Sequence, residues 1–186
     1  MTQKILVLKG SPRKRGNSAI LAEQAMRGAK ENGAEIEEVY LHSMKSQPCA
    51  ACDGCRKGKR ECVTHDDMQK LYPLLKWADS IIIASPIYFF TFSAQVKLCI
   101  DRWYAFAQPD GNPLTGKKFG ILLTYGDTDV YTSGAINAIH TFESILGYMH
   151  NRIDALVYGS ASDEGDIKAE KAVMEQAFEL GRKLSV

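Results

Sequence analysis

Two hydrophobic patterns alternate along this chain. Short segments that contain Ile, Leu, Val and aromatic residues predict β-strands at 4–9, 34–41, 80–85, 118–125 and 152–158. Between them, apolar residues recur every three or four positions, which predicts helices at 18–32, 67–77, 93–105, 133–147 and 165–184. Asn32 and Gly33 end the first helix, and Asp66 or Asp67 caps the second. One irregular insert, 48–63, interrupts this regular alternation.

The alternation of strands and helices predicts the fold class. The run 80–85 lacks polar alternation, as expected for a parallel strand that is covered on both faces. Five such strands joined by helices predict an α/β fold, a flavodoxin-like doubly wound sandwich. Its five-stranded parallel sheet has the order 2-1-3-4-5, with helices on both faces. A length of 186 residues suits a single domain over 1–186, with the cysteine-rich insert at 48–63.

In this strand order, ligands bind at the carboxyl ends of the first and third strands. The loops that leave these ends are 11–18 and 86–92, and the loop 125–129 after the fourth strand lies beside them. Three loops that are distant in the sequence are therefore expected to form one crevice.

The first of these loops has the chemistry of a phosphate site. Free N–H groups of the loop and the positive end of the following helix favour an anion. Ser11, Asn17 and Ser18 add side-chain donors, Arg13 adds a charge-assisted bond, and Asn17 or Ser18 is the predicted N-cap. The loop is neither a Gly-x-Gly-x-x-Gly fingerprint nor a P-loop. The alternative is an ordinary basic turn before a capped helix.

The other two loops offer a flat apolar lining. The stretch 86–92 begins at Pro86 and carries the rings of Tyr88, Phe89 and Phe90. The loop after the fourth strand adds backbone amides at Thr124, Tyr125 and Gly126. A phosphate site beside an aromatic surface describes flavin mononucleotide (FMN). A hydrophobic plug or a dimer contact is the alternative for the aromatic stretch, and either is compatible with a flavin.

Composition narrows the class of partner. The chain has 23 basic and 22 acidic residues, and its net charge of +1 argues against a general nucleic-acid binder. No apolar run approaches the roughly 18 residues of a membrane span, and a signal-peptide pattern is absent. We therefore expect a cytoplasmic protein without nucleic-acid or membrane partners, whose five cysteines do not form a disulfide framework.

Four of the five cysteines lie in the insert, at Cys49, Cys52, Cys55 and Cys62. Three cysteines at two-residue gaps and then a fourth fit a 4Fe–4S cluster better than zinc, because structural zinc sites more often use two separated Cys-x2-Cys pairs. Residues that would offset the negative charge of a cluster are Arg56, Lys57, Lys59 and Arg60, and Asp53 would oppose them. A loop without metal and a redox disulfide are the open alternatives.

Three spaced motifs carry a resemblance to a known family. They are Gly10-Ser11-Pro12-Arg13 with Asn17-Ser18, Ser85-Pro86-Ile87-Tyr88, and Ala94-Gln95-Val96-Lys97 with Asp101-Arg102. Over residues 4–160 the chain resembles the NADPH-dependent FMN reductase family. The compact cysteine spacing is similar to that of its branch of multimeric flavodoxins and iron–sulfur flavoproteins.

The resemblance implies a flavodoxin-like fold, non-covalently bound FMN, and dimers or tetramers. It implies that the phosphate is held by Ser11, Arg13, Asn17 and Ser18. It places along the isoalloxazine ring Pro86, Ile87, Tyr88, Phe89 and Phe90. The third loop, 124–127, is less glycine-rich than in many relatives, which leaves its contacts with the flavin open.

Two functions are predicted. The first is an FMN-dependent NAD(P)H oxidoreductase that reduces a small acceptor of quinone, flavin or nitroaromatic type, with NADPH or NADH as the reductant. The second is an iron–sulfur flavoprotein that carries electrons through FMN and a 4Fe–4S cluster from a ferredoxin-like donor. A module that binds another nucleotide or anion is a more distant third. No catalytic side chain is assigned, because hydride and electron transfer belong to the cofactor.

The aromatic residues also predict an assembly. One flavin ring cannot cover all of Tyr88, Phe89, Phe90, Phe92, Trp103, Tyr104 and Phe106. Exposed apolar patches usually mark interfaces, so we expect a homodimer or homotetramer. The alternative is that Trp103 and Phe106 pack beneath the 107–117 loop. Two further expectations are that Arg102 belongs to a solvated basic surface and that Cys99 packs in the core.

Overall fold

A computed structural model describes residues 2–57 and 61–186, so Lys59 and Arg60 of the predicted basic flank lie outside the described residues. Within these ranges six strands form the sheet: β1 Lys4–Lys9, β2 Glu35–Tyr40, β3 Ser80–Tyr88, β4 Thr91–Phe92, β5 Lys118–Tyr125 and β6 Ile153–Ser160. Five of them are parallel, in the order β2-β1-β3-β5-β6, and β4 pairs antiparallel with the end of β3. The predicted doubly wound order is confirmed for the five long strands, and β4 is an addition to it.

Five α-helices of the described ranges cover the sheet: α1 Asn17–Glu31, α2 Met68–Trp77, α3 Ala94–Asp101, α4 Ala135–Tyr148 and α5 Lys171–Leu184. Short 3-10 segments lie at Leu41–Ser43, Gly54–Arg56, Arg102–Phe106 and Asp166–Ala169. The helix predicted at 93–105 is therefore α-helical only to Asp101 and then tightens into a 3-10 turn. No helix of the described residues is long and apolar enough to cross a membrane.

Alternate side chains of the strands face two apolar layers. Ile5 and Val7 of β1 pack in the layer that contains α1 and α5, whereas Leu6 and Leu8 pack in the layer that contains α2, α3 and α4. The buried face of each helix supplies the other half of each layer. This two-sided burial explains the apolar runs of β1, β3 and β5, whereas β2 lies at the edge of the sheet and carries three glutamates.

The stretch 86–92 differs from the predicted loop. β3 continues through Pro86 to Tyr88, and β4 pairs with it through Ile87 opposite Phe92 and Tyr88 opposite Thr91. Phe89 and Phe90 form the turn of this hairpin, with φ of 49° and 70°. Two positive φ values are those of a type I′ turn, one of the two common two-residue hairpin turns. The predicted loop is therefore a tight hairpin that projects from the carboxyl edge of the sheet.

Candidate functional site

The first loop leaves β1 through Gly10. Its N–H donates to the carbonyl oxygen of Ala84 at 2.8 Å, and its carbonyl accepts the hydroxyl of Ser93 at 2.7 Å. A Cβ at Gly10 would lie 2.3 Å from Cγ2 of Val96, so no larger residue fits. The same Ser93 hydroxyl caps α3 by accepting the N–H of Val96 at 3.4 Å. Ser93 thus joins the first loop to the β3–α3 connection, a role that the local sequence did not reveal.

The start of α1 is left open toward the crevice. Gly16 is the N-cap, rather than the predicted Asn17 or Ser18, and no side chain caps the helix. A Cβ at Gly16 would lie 2.8 Å from Oγ of Ser11, which explains the glycine. Among the described residues, no acceptor receives the N–H groups of Asn17, Ser18 and Ala19. Unpaired N–H groups at the positive end of a helix form an anion site.

Two serine hydroxyls border these N–H groups. Oγ of Ser18 is buried and has no hydrogen-bond partner within residues 2–57 and 61–186. Oγ of Ser11 accepts the N–H of Arg13 at 3.0 Å and keeps its own proton for a further acceptor. Arg13 itself is exposed beside them. A buried hydroxyl without a partner is costly, so this cradle fits the phosphate group of FMN.

The side chain of Asn17 is engaged elsewhere. Its Nδ2 donates to the carbonyl oxygens of Ala161 at 3.3 Å and Asp163 at 2.8 Å. Its Oδ1 accepts the N–H groups of Gly165 at 2.9 Å and Ile167 at 3.4 Å. These bonds use the full capacity of the amide and tie α1 to the segment after β6. A contact of Asn17 with the phosphate would therefore come from its backbone N–H.

The β3–β4 hairpin supplies the aromatic wall. Tyr88, Phe89 and Phe90 are exposed, and the positive φ of the two phenylalanines is unusual for bulky side chains. Helix α4 supports the tip, because Nδ2 of Asn137 donates to the carbonyl oxygen of Phe90 at 3.3 Å. A Cβ at Gly134 would lie 2.5 Å from Cβ of Phe90. Backbone strain held by such contacts is common at functional sites.

Behind the hairpin, the end of β3 is fixed by Ser85. Its hydroxyl donates to the carbonyl oxygen of Pro86 at 2.8 Å and accepts the N–H of Ser93 at 2.9 Å. Pro86 stands in register with Thr124 of β5. The predicted ring-lining residues Pro86 and Ile87 therefore belong to a rigid strand rather than to a free loop.

The third loop follows β5. Thr124 and Tyr125 are the last two residues of β5 and are buried, Gly126 is exposed, and the carbonyl oxygen of Tyr125 accepts the N–H of Ala161 at 2.7 Å. Further along, the N–H groups of Thr132 and Tyr131 bond to Asp129 and hold the pKa of that carboxyl below its usual value. The loop is thus fastened internally, with its backbone at the same sheet edge as the phosphate cradle and the hairpin.

The four cysteines of the insert line one small cavity of about 20 Å³, together with Arg102 and Tyr104. All are free thiols: Cys49 and Cys52 are exposed, Cys55 is buried and Cys62 is half-buried. Among residues 2–57 and 61–186, no three metal-ligand side chains are already gathered around a point. The four thiols fit the donor set of a thiolate-bound centre. A cavity of about 20 Å³ has room for about one water molecule, so the sulfur atoms would have to rearrange around such a centre.

The thiols of the insert differ in acidity. Burial raises the pKa of Cys55. Burial acts in the same direction on Cys62, but hydrogen bonds from Thr64, Tyr72 and Arg102 outweigh it and lower the pKa of Cys62. The predicted core position of Cys99 agrees with its 1% exposure, and burial raises its pKa to about 12. Cys62 is therefore better prepared as a thiolate than Cys55 is.

A groove of about 680 Å³ adjoins the insert. Its apolar lining includes Ile100, Trp103, Tyr104, Ile145 and Tyr148, and Cys49 lies at its edge. The cysteine insert and the exposed side of α4 therefore border a shared surface, separate from the phosphate cradle at the start of α1.

Comparison with known proteins places these features in a family. The model of the family described as NADPH-dependent FMN reductase matches residues 3–163. An iron–sulfur flavoprotein of Methanosarcina thermophila is 39% identical over 186 residues, which cover 97% of this chain and 93% of that protein. An iron–sulfur flavoprotein of Archaeoglobus fulgidus is 31% identical over 187 residues, covering 98% of this chain and 79% of that protein.

The fold is also similar to solved structures. The NAD(P)H:quinone oxidoreductase from Methanothermobacter marburgensis superimposes with a TM-score of 0.78 at 19% identity, covering 100% of this chain and 98% of that chain. At this identity the likeness concerns the fold alone, and it agrees with the doubly wound sheet described above.

Proposed function

This chain belongs to the NADPH-dependent FMN reductase family, and we propose that it is an FMN-dependent NAD(P)H oxidoreductase that reduces a small acceptor. The observation that carries the proposal is the uncapped start of α1, where unpaired N–H groups surround the buried hydroxyl of Ser18. The acceptor is of quinone, flavin or nitroaromatic type.

Each loop of the crevice has a proposed part in holding FMN. The phosphate is bound by Ser11, Arg13, Ser18 and the N–H of Asn17. The isoalloxazine ring lies along Pro86, Ile87, Tyr88, Phe89 and Phe90, with Thr124, Tyr125 and Gly126 on the neighbouring edge. When bound, FMN supplies the hydride and single-electron chemistry. The side chains of this protein orient the ring and exclude water from one of its sides.

Ligand release and anaerobic reduction test this function. Protein purified without added flavin is denatured, and the released ligand is identified by mass spectrometry. FMN-loaded protein is then mixed with NADPH or NADH, and flavin absorbance is followed before quinone, flavin and nitroaromatic acceptors are added. We expect FMN to be released and to be bleached by at least one nucleotide. Release of another nucleotide, or no bleaching by either reductant, would contradict the proposal.

A second candidate function is electron transfer through FMN and a 4Fe–4S cluster held by Cys49, Cys52, Cys55 and Cys62. The shared cavity of the four thiols supports it, as do the two relatives named iron–sulfur flavoproteins. The electron donor would be a ferredoxin-like protein. Anaerobic purification with iron and sulfide assays tests this candidate. About four iron atoms per subunit favour it, whereas a clean flavin spectrum with zinc or no metal defeats it.

The partners and the cellular location of the protein stay predictions. Its net charge of +1 supports partners that are small molecules or proteins rather than nucleic acids. A cytoplasmic location is consistent with reduced cysteines, of which all five are free thiols.

A further inference from the structure

Arg102 is the most buried charge of the candidate cluster region. The sequence predicts a solvated basic residue, but the side chain is only 1% exposed. It lies at the start of the 3-10 turn that follows α3. A buried guanidinium is costly unless it is paired and hydrogen-bonded. The partners of Arg102 therefore indicate its role.

Arg102 joins the two ends of the cysteine insert. Before the insert, its Nη1 donates to the carbonyl oxygen of Gln47 at 2.8 Å. After the insert, Nη1 and Nη2 form a forked ion pair with the carboxylate of Asp66, at 2.5 and 3.2 Å. The same carboxylate accepts the N–H of Gln47 at 2.8 Å. The ion pair therefore holds the first and last parts of the insert side by side.

Neighbouring bonds complete this neck, which we define as 45–47 together with 64–67. The N–H of Lys45 donates to Oδ2 of Asp67 at 2.7 Å, and the N–H of Asp67 donates back to the carbonyl oxygen of Lys45 at 3.3 Å. All four cysteines of the insert lie between the two halves of the neck. The neck consequently sets how closely the ends of the cysteine segment approach.

Arg102 also contacts one of the cysteines directly. Its Nη2 donates to Sγ of Cys62 at 3.2 Å. The backbone on each side of that contact is fixed, since Nε2 of Gln69 donates to the carbonyl oxygens of Cys62 at 2.9 Å and Thr64 at 2.7 Å. Cys62 is thereby presented to the cavity that it shares with the other three thiols.

We propose that Arg102 is a positioning residue for the metal centre, which closes the neck of the insert and directs a charged N–H group at Sγ of Cys62. The inference rests on the proposed four-cysteine centre, in which Arg102 is not a ligand. A charged donor at a ligating sulfur stabilises the reduced, more negative state of a cluster and raises its reduction potential. The closed neck keeps Cys62 in place and slows the loss of iron.

Arg102→Lys tests the proposal, because it keeps the charge but a single ammonium cannot reach Gln47, Asp66 and Cys62 together. The matched control is Arg27→Lys, at an exposed arginine of α1 whose Nη1 donates to Oε1 of Gln24 at 3.1 Å, outside the insert. Full-length, FMN-loaded proteins are reconstituted anaerobically with iron and sulfide. We expect Arg102→Lys to release iron to a chelator about 10-fold to 100-fold faster than the parent and to have a lower reduction potential. Arg27→Lys should match the parent.

A second variant removes the charges altogether. Arg102→Met combined with Asp66→Asn leaves no unpaired carboxylate in the buried neck, so the chain keeps a route to the folded state. It should lower the reduction potential further than Arg102→Lys does. Bound FMN should be retained in every variant, since among the described residues Arg102 shares no hydrogen bond with the loop 11–18.

Hydrogen exchange gives a readout that needs no iron. In metal-free, FMN-loaded protein, the N–H groups of Lys45 and Gln47 are protected by Asp67 and Asp66. We expect the Gln47 N–H to exchange faster in Arg102→Lys and to be unchanged in Arg27→Lys. Parent-like iron release, potential and exchange in Arg102→Lys would overturn the proposal. If the parent takes up no iron, the four-cysteine centre fails and exchange alone decides: faster exchange retains Arg102 as the clamp of the neck, and parent-like exchange removes it.

Discussion

At the scale of single residues, replacing Ser18 should change the stability of the protein and its affinity for FMN in opposite directions. Its side chain is buried, and no atom of residues 2–57 or 61–186 accepts or donates a hydrogen bond at its hydroxyl. We expect Ser18→Ala to raise the free energy of unfolding of the FMN-free protein by about 1 kcal/mol, because an unpaired buried hydroxyl is removed. FMN binding should weaken about 10-fold to 100-fold, since a phosphate bond of about 1.5–3 kcal/mol is lost.

Urea unfolding and fluorescence titration with FMN measure the two effects. The matched control is Ser80→Ala at the amino end of β3, where a buried hydroxyl donates to the carbonyl oxygen of Leu184 at 2.9 Å. That variant should lose about 1 kcal/mol of stability and keep its FMN affinity. A Ser18→Ala protein with the stability and FMN affinity of the parent would remove Ser18 from the phosphate site.

The sequence located the first loop but did not assign every side chain in it. Small and polar residues between a strand and a helix indicate an anion site from local pattern alone. The hydrogen-bond partners of Asn17 lie 144 to 150 residues further along the chain, so the sequence pattern of one helix cannot predict them. Arg102 was missed for the same reason, because its burial depends on Asp66 and Gln47 across the insert.

Among the elements, the β3–β4 hairpin has large side chains where small ones are favoured. Phe89 and Phe90 have φ of 49° and 70°, at positions where Asn-Gly is preferred. We expect Phe89→Asn with Phe90→Gly to raise the free energy of unfolding by about 2 kcal/mol, because each strained residue costs on the order of 1 kcal/mol or more. Loss of the aromatic wall should lower kcat/KM for the acceptor about 10-fold, equivalent to about 1.4 kcal/mol of lost contact.

Urea unfolding of the FMN-free protein and steady-state kinetics check the hairpin prediction. Tyr131→Asn is the control, because Tyr131 is 75% exposed on the neighbouring loop and has no positive φ to relieve. Its stability should stay within about 0.5 kcal/mol of the parent. An unchanged stability of the double variant would show that the turn is not strained, and a parent-like kcat/KM would place the acceptor elsewhere.

The sequence predicts the bounds of a strand well where the strand's own apolar residues set those bounds. The bounds of β1 and β5 agree with the apolar runs at 4–9 and 118–125. The predicted strand 80–85 stops before Pro86, because proline is rare inside a strand. The observed β3 nevertheless continues to Tyr88. Pro86 is in register with Thr124 of β5, and the antiparallel β4 pairs with the two residues after Pro86. The support from Thr124 comes from 38 positions along the chain and is not visible in a local window, whereas β4 follows β3 directly.

At the scale of the whole molecule, three of the seven aromatic residues predicted to form an exposed patch are buried. Phe92, Trp103 and Phe106 are only 3%, 3% and 5% exposed. The ring of Phe106 packs edge-on against Tyr72 at 5.3 Å between centres. In a 3-10 turn, residues three apart share a face, so Trp103 and Phe106 both turn toward the core. Trp103 and Phe106 are therefore core residues, packed against Phe119 and Tyr72, and are not part of an exposed interface patch.

The aromatic residues that remain exposed still predict self-association. Phe89 is 97% exposed on the hairpin, and Tyr148 is 73% exposed at the end of α4, beside the groove of about 680 Å³. Large exposed apolar patches usually mark interfaces, and two-fold symmetric homo-oligomers are the commonest solution. We therefore expect at least a homodimer with the flavin near the subunit boundary.

Light scattering of FMN-loaded protein across a dilution series measures this assembly. The parent should have at least twice the subunit mass of 20.6 kDa. Phe89→Lys with Tyr148→Lys should shift the mass toward one subunit, because two ammonium groups would have to be desolvated in the interface. Val186→Lys, at a position 70% exposed, is the control and should not. A parent mass of 20.6 kDa at every concentration, with full FMN occupancy, would rule out a flavin pocket shared between subunits.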